Sequence, residues 1–379
     1  MDKRKKQLNI VMLGHKRIPS REGGVEIVVE ELSARMVTAG HKVTCLNRAG
    51  KHVSGKKFAA KPAREYAGVQ IKTVSALDKK GLAAMTASVT GAFVAAFGNY
   101  DVVHFHAEGP CAMLWLPKLF GKRCIATVHG LDHRRAKWGG FARKYIMLGE
   151  KCAVKFADEI IVLSEDVKRY FKDTYGRETV FIPNGVSQVE KKEARQITET
   201  FGLRTGEYIL FLGRLVPEKG IHYLIDAYKK LETDKKLVIA GGSSDTDAFA
   251  SALKEQAAGD ERILFTGFVQ GNMLEELYSN AYLYVLPSDL EGMPLSLLEA
   301  MSYGNYCVVS DIPECAEVVE DKGFVFQRGN VESLRQCLQR LCDTDPRKDL
   351  SESTIREFVT EKYSWDDVVA QTLKLYGRE

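Results

Sequence analysis

Short apolar runs rich in Val, Ile and Leu alternate along the chain with segments whose apolar residues recur every three or four positions. The runs are typical of buried strands and the segments of amphipathic helices. Their regular alternation is typical of βαβ units on a parallel sheet. The predicted strands are 8–13, 42–47, 69–74, 101–106, 123–129 and 159–164, followed by 208–214, 236–241, 262–268, 281–287 and 306–311. The pattern predicts an α/β protein with two doubly wound domains.

Three predicted helices need comment. Residues 25–38 carry the helical apolar spacing, and Gly40 is expected to end that helix. Residues 81–100 contain no charged side chain and are long enough to cross a bilayer. Because they are mostly Ala, Gly, Ser and Thr, which enter lipid only weakly, we predict a buried helix that leads into the next strand. A last amphipathic helix is predicted over 364–376.

The boundary between the domains is predicted from a change in composition near residue 186. Residues 187–206 are polar and charged and show no strand pattern, so they are the predicted linker. The first domain is therefore predicted over 1–186 and the second over 187–361. Open α/β sheets bind ligands at the carboxyl ends of their strands, and the motifs described below fall at such ends.

Charge is distributed unevenly between the two halves. The whole chain has a formal net charge of +4. Residues 1–185 contain 32 Lys and Arg against 17 Asp and Glu, a net +15, and the remainder contains 22 against 33, a net −11. A basic first half suits an anionic partner such as a membrane surface, a phosphorylated acceptor or a nucleic acid. The alternative is a solvated basic face with no partner.

Several partner classes and locations are disfavoured by missing motifs. No RNA- or DNA-binding motif accompanies the basic charge, so we expect no nucleic-acid partner. The 8 cysteines show no C-x-x-C pair or metal-ligand spacing, which favours buried thiols in a reducing compartment. The N-terminal apolar run is too short for a signal peptide. We therefore expect a cytoplasmic protein, either free or peripheral at the inner face of the plasma membrane.

The strongest motif lies within 288–304, where Glu291 and Glu299 are separated by seven residues. Glu291 follows a predicted strand end, Pro294 suits the first helical position, and Gly304 is a helix stop. Glu291 is therefore expected on the loop and Glu299 about one turn into the helix, both near its positive end.

This arrangement suits a sugar nucleotide. A loop carboxylate accepts hydrogen bonds from sugar hydroxyls, a carboxylate on the helix clamps a ribose diol, and the backbone N–H groups of Met293 and Leu295 meet a diphosphate. Gly292 lies within the same loop. The alternative is a strand–loop–helix whose glutamates are solvated or cap the helix.

A second motif follows the strand predicted over 208–214. Arg214 and Lys219 are five residues apart across a strand-to-helix turn, so their cationic groups can converge on one anion. A leaving diphosphate needs such a pair, with Arg as a forked donor and Lys as a point charge. The alternative is a salt bridge with Glu218 or Asp226.

Two weaker motifs lie in the first half. Gly23 and Gly24 directly precede a predicted helix, where backbone amides can approach phosphate oxygens. The surrounding sequence is not G-x-G-x-x-G, which argues against a dinucleotide site. His129 ends a predicted strand, where an imidazole can hydrogen-bond a donor sugar, although a single histidine can also be structural.

Together these motifs resemble the GT-B fold glycosyltransferases of family 4. That family shows a Gly-Gly first loop, a His-Gly after a middle strand, a Gly-Arg-x-x-x-x-Lys-Gly segment and a Glu-x7-Glu motif, all present here in that order. The Pro-Asn-Gly-Val run at 183–186 is also similar. The resemblance covers nearly the whole chain and implies two Rossmann-like domains, with a last helix, about 362–379, returning to the first domain.

The resemblance implies a role for each motif. Glu291 would bind the donor sugar and Glu299 the ribose, while Arg214 and Lys219 would hold the diphosphate with help from the Gly23 and Gly24 backbone. His129 would lie beside the sugar, and Phe268 and Val269 near the nucleobase. The full predicted donor-binding set is Gly23, Gly24, Arg214, Lys219, Phe268, Val269, Glu291, Gly292, Met293, Pro294, Leu295 and Glu299, with Glu291, His129, Arg214 and Lys219 as the catalytic residues.

The resemblance further implies retention of the anomeric configuration, without a metal or another cofactor. Two cations and a helix N-terminus would neutralise the diphosphate of a UDP-, dTDP- or GDP-linked sugar. Asp245 and Asp247 spell a D-x-D string, which we interpret as coincidental because it follows a strand end within the second domain.

The acceptor is expected to bind the basic first domain. Residues 133–155 mix aromatic with basic side chains, which suits an anionic membrane surface, although a helix with solvated charges is the alternative. A glycan or polyprenyl-diphosphate-linked sugar of bacterial surface polysaccharide assembly is the preferred acceptor. A nucleotide-sugar 2-epimerase on the same fold and a non-catalytic nucleotide-sugar binder remain alternatives.

Overall fold

The computed structural model describes residues 7–50, 63–77, 82–134, 139–243, 247–348 and 350–377. The chain forms two compact units, the first made of Met1–Asn184 with Trp365–Glu379 and the second of Gly185–Ser364. These boundaries lie two or three residues from the predicted ones at 186/187 and 361/362.

The first unit contains an eight-stranded sheet in the order β3-β4-β2-β1-β5-β6-β7-β8. Its strands are β1 (Asn9–Leu13), β2 (Lys42–Arg48), β3 (Glu65–Tyr66), β4 (Val69–Val74), β5 (Val102–His106), β6 (Arg123–Val128), β7 (Glu159–Val162) and β8 (Val180–Phe181). All neighbours are parallel except β3 and β4, which are antiparallel. β5 is buried at every position because helices cover both faces of the sheet.

Among the described residues, the helices of the first unit are α1 (Gly24–Thr38), α2 (Leu82–Phe97), α3 (Trp115–Leu119), α4 (Gly140–Phe156), α5 (Glu165–Tyr175) and α14 (Trp365–Tyr376). α14 packs against α1, and the Tyr376 hydroxyl lies 2.6 Å from Nδ1 of His104 in β5. The last helix therefore completes the first unit, as the resemblance implied.

The prediction that 81–100 forms a buried helix was wrong in part. One face of α2 is buried, including Gly91, Ala92 and Ala95, but Phe93 and Phe97 on the other face are 49% and 67% exposed. Small residues let the buried face approach the sheet closely, and the aromatic residues fall on the outer face. In the described part of the chain, no helix is both long and apolar enough to span a membrane.

The second unit contains a six-stranded sheet, with all described neighbours parallel, in the order β11-β10-β9-β12-β13-β14. Its strands are β9 (Tyr208–Leu212), β10 (Lys236–Ala240), β11 (Ile263–Gly267), β12 (Leu283–Leu286), β13 (Cys307–Ser310) and β14 (Phe324–Phe326). Its helices are α6 (Gln196–Phe201), α7 (Ile221–Tyr228), α8 (Asp247–Ala257), α9 (Asn272–Asn280), α10 (Leu295–Ser302), α11 (Pro313–Val319), α12 (Val331–Asp343) and α13 (Glu352–Lys362).

The predicted linker over 187–206 is partly structured. α6 lies within it and packs against α9 of the second unit. The buried Glu276 of α9 accepts hydrogen bonds from the backbone N–H groups of Arg195 and Ile197, at 2.9 and 3.1 Å. These bonds satisfy the start of α6, so the polar composition reflects a short surface helix.

Candidate functional site

Each sheet has one point at which the order of its strands reverses. In the first unit this point lies between β1 and β5, and in the second between β9 and β12. Ligands of open α/β sheets bind beyond the carboxyl ends of the strands at such points. The residues that follow these four strands are therefore the candidate functional residues of each unit.

In the second unit, Lys219 and Glu291 meet at this point. Nζ of Lys219 lies 2.5 Å from Oε1 of Glu291, and their side chains are only 12% and 10% exposed. Oγ of Ser288 donates to the same glutamate oxygen at 2.6 Å. We call Lys219, Ser288 and Glu291 the lysine–glutamate cluster. A shielded, charge-assisted contact of this kind fixes both groups before a ligand arrives.

Lys219 thus pairs with Glu291 and not with Glu218 or Asp226, the salt-bridge partners of the alternative interpretation. The Glu218 carboxylate oxygens have no hydrogen-bond partner among the described residues. The Glu218 carbonyl instead accepts a bond from the Asp289 backbone N–H at 2.8 Å, which joins the two loops.

Gly220 permits this close approach of the loops. Its φ is +64°, and a Cβ placed on it would lie 1.9 Å from the carbonyl oxygen of Pro287. Glycine is favoured in this left-handed conformation and is the residue that leaves room for the Pro287 backbone. The sequence Lys219-Gly220 therefore brings the lysine to Glu291.

Pro294 precedes α10 by one residue, so its predicted place at the first helical position was wrong. The backbone at Pro294 is extended, with ψ at 103°, and the helix begins at Leu295. Gly292, Met293, Pro294 and Leu295 are all buried. Oε2 of Glu299, on α10, accepts a hydrogen bond from the Tyr278 hydroxyl at 3.2 Å.

The remaining predicted residues of the second unit follow neighbouring strands. Arg214 is half-buried and follows β9, while Phe268 and Val269 are half-buried and follow β11. Cβ of Phe268 lies 3.7 Å from the position that a Cβ on Gly242 would take, so the ring is rooted beside the end of β10. Cationic, acidic and aromatic side chains therefore share one edge of this sheet.

In the first unit, Gly23 precedes α1 and Gly24 is its first residue. A Cβ on Gly23 would lie 2.5 Å from Oε2 of Glu26. The Glu26 carboxylate, only 4% exposed, also accepts a bond from the Lys16 backbone N–H at 2.8 Å. Gly23 thus makes room for a buried carboxylate that orders the loop after β1. The phosphate-binding role of these glycines stays a prediction.

Histidines line the corresponding point of the first unit. His129 follows β6, and its Nε2 lies 3.1 Å from Nδ1 of His106, the last residue of β5. The His106 and His104 ring centroids are 4.1 Å apart. Nδ1 of His104 contacts the Tyr376 hydroxyl at 2.6 Å. We call His104, His106, His129 and His15, the residue after Gly14 at the end of β1, the histidine cluster.

Burial keeps three of these imidazoles neutral. Desolvation lowers the pKa of His104 to about 3 and the pKa values of His15 and His106 below the usual 6.5, and the neighbouring imidazoles lower those of His104 and His106 further. His15 Nε2 is held by the Asn47 side-chain oxygen at 3.1 Å. At neutral pH these three imidazoles can therefore donate or accept hydrogen bonds without carrying a charge.

Sequence reasoning missed Ser288, Glu26 and His106. The strand-end argument that singled out His129 applies equally to His106, so His106 could have been predicted as a site residue from the sequence. Nothing in the local sequence indicated that Glu26, in the first turn of α1, reaches back to the preceding loop.

Two family models match the chain, one for each unit. The model described as Glycosyltransferase Family 4 matches residues 22–188, and the one described as Glycosyl transferases group 1 matches residues 193–357. The fold and the motifs agree with both. The chain belongs to the family 4 glycosyltransferases of the GT-B fold, so the predicted family and fold class are confirmed.

Individual relatives are distant. An uncharacterised glycosyltransferase of Methanocaldococcus jannaschii is 29% identical over 306 residues, covering 73% of this chain and 75% of the relative. The Escherichia coli UDP-Gal:α-D-GlcNAc-diphosphoundecaprenol α-1,3-galactosyltransferase is 28% identical over 264 residues, covering 65% and 67%. The structure of Anabaena HepE in complex with UDP-glucose superposes with a TM-score of 0.79 at 17% identity, covering 97% of this chain and 100% of that chain.

Proposed function

We propose that this glycosyltransferase moves a hexose or deoxyhexose, with retention and without a metal, from a nucleotide-diphosphate sugar to a glycan or lipid-linked acceptor in bacterial surface polysaccharide synthesis. The observation that carries the donor half is the lysine–glutamate cluster at the carboxyl ends of β9 and β12. There Lys219 lies 2.5 Å from Glu291, and α10 begins four residues after that glutamate.

The charges of this cluster suit the departure of a diphosphate. As the bond from the sugar C1 to the phosphate oxygen breaks, negative charge grows on the leaving group. Lys219, with Arg214 and the positive end of α10, stabilises that charge most strongly in the transition state. Such groups supply the compensation that a divalent cation would otherwise provide.

Glu291 and the histidine cluster are assigned to the sugar. In the proposed front-face substitution, the acceptor oxygen bonds to C1 as the phosphate leaves, and the acceptor proton passes to the leaving phosphate oxygen. Glu291 accepts hydrogen bonds from the sugar hydroxyls, and His129 adds a further hydrogen bond to the sugar. Glu299 binds the ribose.

The donor is tested by incubating the full-length protein with a panel of UDP-, dTDP- and GDP-linked sugars and measuring nucleotide release. Slow release from one sugar nucleotide, lost in Glu291→Ala and unaffected by added Mg²⁺ or Mn²⁺, is the expected result. A rate of nucleotide release that rises with the added metal would overturn the proposal that transfer needs no metal. The anomeric configuration of an accepted product, measured by NMR, decides retention.

The same assay distinguishes the 2-epimerase alternative. An epimerase would convert the sugar in the absence of an acceptor, so a changed sugar would be recovered from the donor pool. A transferase leaves the configuration of the unreacted donor intact. Recovery of an epimerised donor sugar would contradict the proposed transfer.

The acceptor proposal rests on an apolar and basic surface of the first unit. α3 contacts both α2 and α4. Phe93, Phe97, Leu119 and Phe120 are 49–73% exposed on α2 and around α3, and Phe141 is 72% exposed on α4. Lys144 and Lys151, also on α4, are exposed. Of the predicted segment 133–155, residues 135–138 lie outside the described residues.

This surface, which we call the α2–α4 surface, suits an anionic membrane. Exposed aromatic rings enter the lipid interface, and lysines beside them are attracted to anionic headgroups. The first half of the chain carries the excess of basic residues, a net +15 over residues 1–185, that such attraction requires. A lipid-linked acceptor would be presented at the same interface.

Sedimentation with liposomes tests the surface. Binding to vesicles containing phosphatidylglycerol, weakened by Phe93→Ser with Phe97→Ser and by Lys144→Glu with Lys151→Glu, is the expected result. Val325→Ser is a matched control, since Val325 is 45% exposed on the second unit. Equal binding by all variants, or no binding to anionic vesicles, would overturn this proposal and leave the donor proposal intact.

A further inference from the structure

A second buried polar cluster of the first unit has no part in the proposed transfer. Glu108 follows β5, His133 lies in a short 3-10 helix at Asp132–Arg134, and Glu150 lies on α4. Glu108 and Glu150 are fully buried, and His133 is 14% exposed. Three segments that are distant in the sequence thus bring two carboxylates and one imidazole together.

Their potential ligand atoms converge. Nδ1 of His133 lies 3.2 Å from Oε2 of Glu150 and 3.9 Å from Oε1 of Glu108. All three atoms lie within 4.8 Å of one another. The corners of a tetrahedron around a zinc ion are about 3.4 Å apart when the bonds are about 2.1 Å long. The observed spacing needs only small side-chain adjustments to match.

The opposite oxygen of each carboxylate is already held. Oε2 of Glu108 accepts from the Asp132 backbone N–H at 2.8 Å. Oε1 of Glu150 accepts from the Tyr170 hydroxyl at 2.9 Å and also from the Tyr175 hydroxyl. Outer hydrogen bonds of this kind orient carboxylate ligands toward a metal.

The converging atoms themselves are unsatisfied. Oε1 of Glu108, Nδ1 of His133 and Oε2 of Glu150 have no hydrogen-bond partner within the part of the chain that the structure describes. Buried polar atoms are normally paired, so three unpaired ligand atoms at one buried point need a common partner. A divalent cation bonded to all three atoms supplies that partner.

We propose that Glu108, His133 and Glu150 bind one divalent transition-metal ion, such as Zn²⁺, in the first unit. One imidazole nitrogen and two carboxylate oxygens suit this class of ion, with water completing the coordination. The ion joins α4 to the loop that follows β6 and carries His129. Its role is structural, so the proposal is independent of the metal-free donor chemistry assigned to the second unit.

The alternative state of the cluster holds a proton in place of the metal. Without a cation, burial and the neighbouring Glu150 carboxyl raise the pKa of Glu108 to about 10. A protonated Glu108 then shares its hydrogen with Glu150, and the cluster needs no ion. The experiment must therefore distinguish a metal site from a carboxyl–carboxylate pair.

The test uses the full-length protein, stripped with a chelator and then dialysed against Zn²⁺. Metal analysis of the wild type should find one tightly bound zinc per chain, and zinc should raise its Tm. His133→Gln should lower zinc affinity by at least about 10-fold and abolish the zinc-dependent rise in Tm. His222→Gln, a change in the second unit, is the matched control and should behave as the wild type.

Cobalt substitution separates this site from the cysteines. The 8 cysteines are all free, and a thiolate site would give a strong sulfur-to-cobalt charge-transfer band. The proposed ligand set predicts only weaker ligand-field bands, which disappear in His133→Gln. His133 is chosen for the substitution because it is better exposed than the fully buried Glu150, so its replacement disturbs the fold less. Absence of bound zinc in the wild type, or zinc retained by His133→Gln, would overturn the proposal.

Discussion

The two units place different chemistry at equivalent points of their sheets. The reversal point of the second unit holds the oppositely charged Lys219 and Glu291, whereas that of the first unit holds buried, neutral imidazoles. Seven of the 8 histidines fall in the first unit and one in the second: His15, His41, His52, His104, His106, His129 and His133 against His222. One topology thus carries two kinds of polar site.

The difference follows from what each site is proposed to bind. A diphosphate carries charge, so its site needs fixed cations, and those cations must themselves be held by a carboxylate when the site is empty. A sugar is neutral, so groups beside it need to form hydrogen bonds without a charge. Burial satisfies that requirement for histidine because it keeps the imidazole uncharged at neutral pH.

The largest expected effect is on the charged site. Lys219→Ala should lower the rate of donor turnover by about 10²–10³-fold, as the loss of one preorganised electrostatic contact commonly does. Nucleotide release from the preferred donor measures the rate. Lys254→Ala, a change at an exposed lysine of α8, is the control. Turnover within threefold of the wild type in Lys219→Ala would remove Lys219 from the proposed mechanism.

Much of this site could be predicted because its residues are close in sequence or follow strands directly. Arg214 with Lys219, and Glu291 with Glu299, are short motifs that follow strand ends, and their places follow from the βαβ pattern. The contact between Lys219 and Glu291 joins residues 72 apart. It depends on the loop geometry at Gly220, which apolar patterning does not indicate.

The first unit was harder to predict because its contacts are long-range. Tyr376 meets His104 across 272 residues, and burial changes the chemistry of the imidazole in a way that composition does not show. The outer face of α2 was mispredicted for a related reason. The segment lacks charged residues and was therefore predicted as buried, but its aromatic residues project from the face opposite the sheet.

The second prediction compares two glycines that each let two backbone segments approach closely. A Cβ on Gly14 would lie 2.1 Å from the carbonyl oxygen of His106, and one on Gly220 would lie 1.9 Å from that of Pro287. Either Gly→Ala change should lower the free energy of unfolding by about 2–4 kcal/mol, because backbone must move and φ is positive. Denaturant unfolding measures this.

Gly40 provides the control for that comparison. Its φ is +92°, but a Cβ there would have no atom within 4 Å among the described residues. Gly40→Ala should therefore cost only the conformational strain, about 1 kcal/mol. Equal losses of unfolding free energy for the Gly14, Gly220 and Gly40 variants would contradict this account. They would show that the close backbone contacts at Gly14 and Gly220 add nothing to the cost of an added Cβ.

The third prediction concerns acid stability. The pKa of His104 is about 3 in the folded protein and near 6.5 when unfolded, so the unfolded state binds more protons between these values. Stability contributed by neutral His104 should fall as pH falls from 6.5, by about 2 kcal/mol at pH 5. His104→Gln should flatten this dependence. The 3 tryptophans, Trp115, Trp138 and Trp365, all belong to the first unit, so their fluorescence reports its unfolding.

An unchanged slope of unfolding free energy against pH in His104→Gln would contradict this account. His222→Gln is the control in the second unit, where partial burial also lowers the imidazole pKa. Because His222 lies in the second unit, that change should leave the tryptophan-detected transition as it is in the wild type.

The smallest expected effect comes from His106, which is proposed to position His129. His106 contacts His129 at 3.1 Å, so His106→Gln should lower kcat by about 10-fold while leaving donor KM nearly unchanged. A steady-state titration with the preferred donor separates the two constants. His106→Asn, with a shorter side chain, should lower kcat further than His106→Gln does. A change confined to KM would show that His106 does not act through His129.

Binding of UDP, dTDP and GDP, measured by isothermal titration calorimetry, tests the assignment of the diphosphate to the second unit most directly. Lys219→Ala should weaken the preferred nucleotide by at least about 10-fold, equivalent to about 1.4 kcal/mol, whereas His129→Ala should leave its affinity unchanged. Unchanged affinity in Lys219→Ala, with a loss in His129→Ala, would contradict the account.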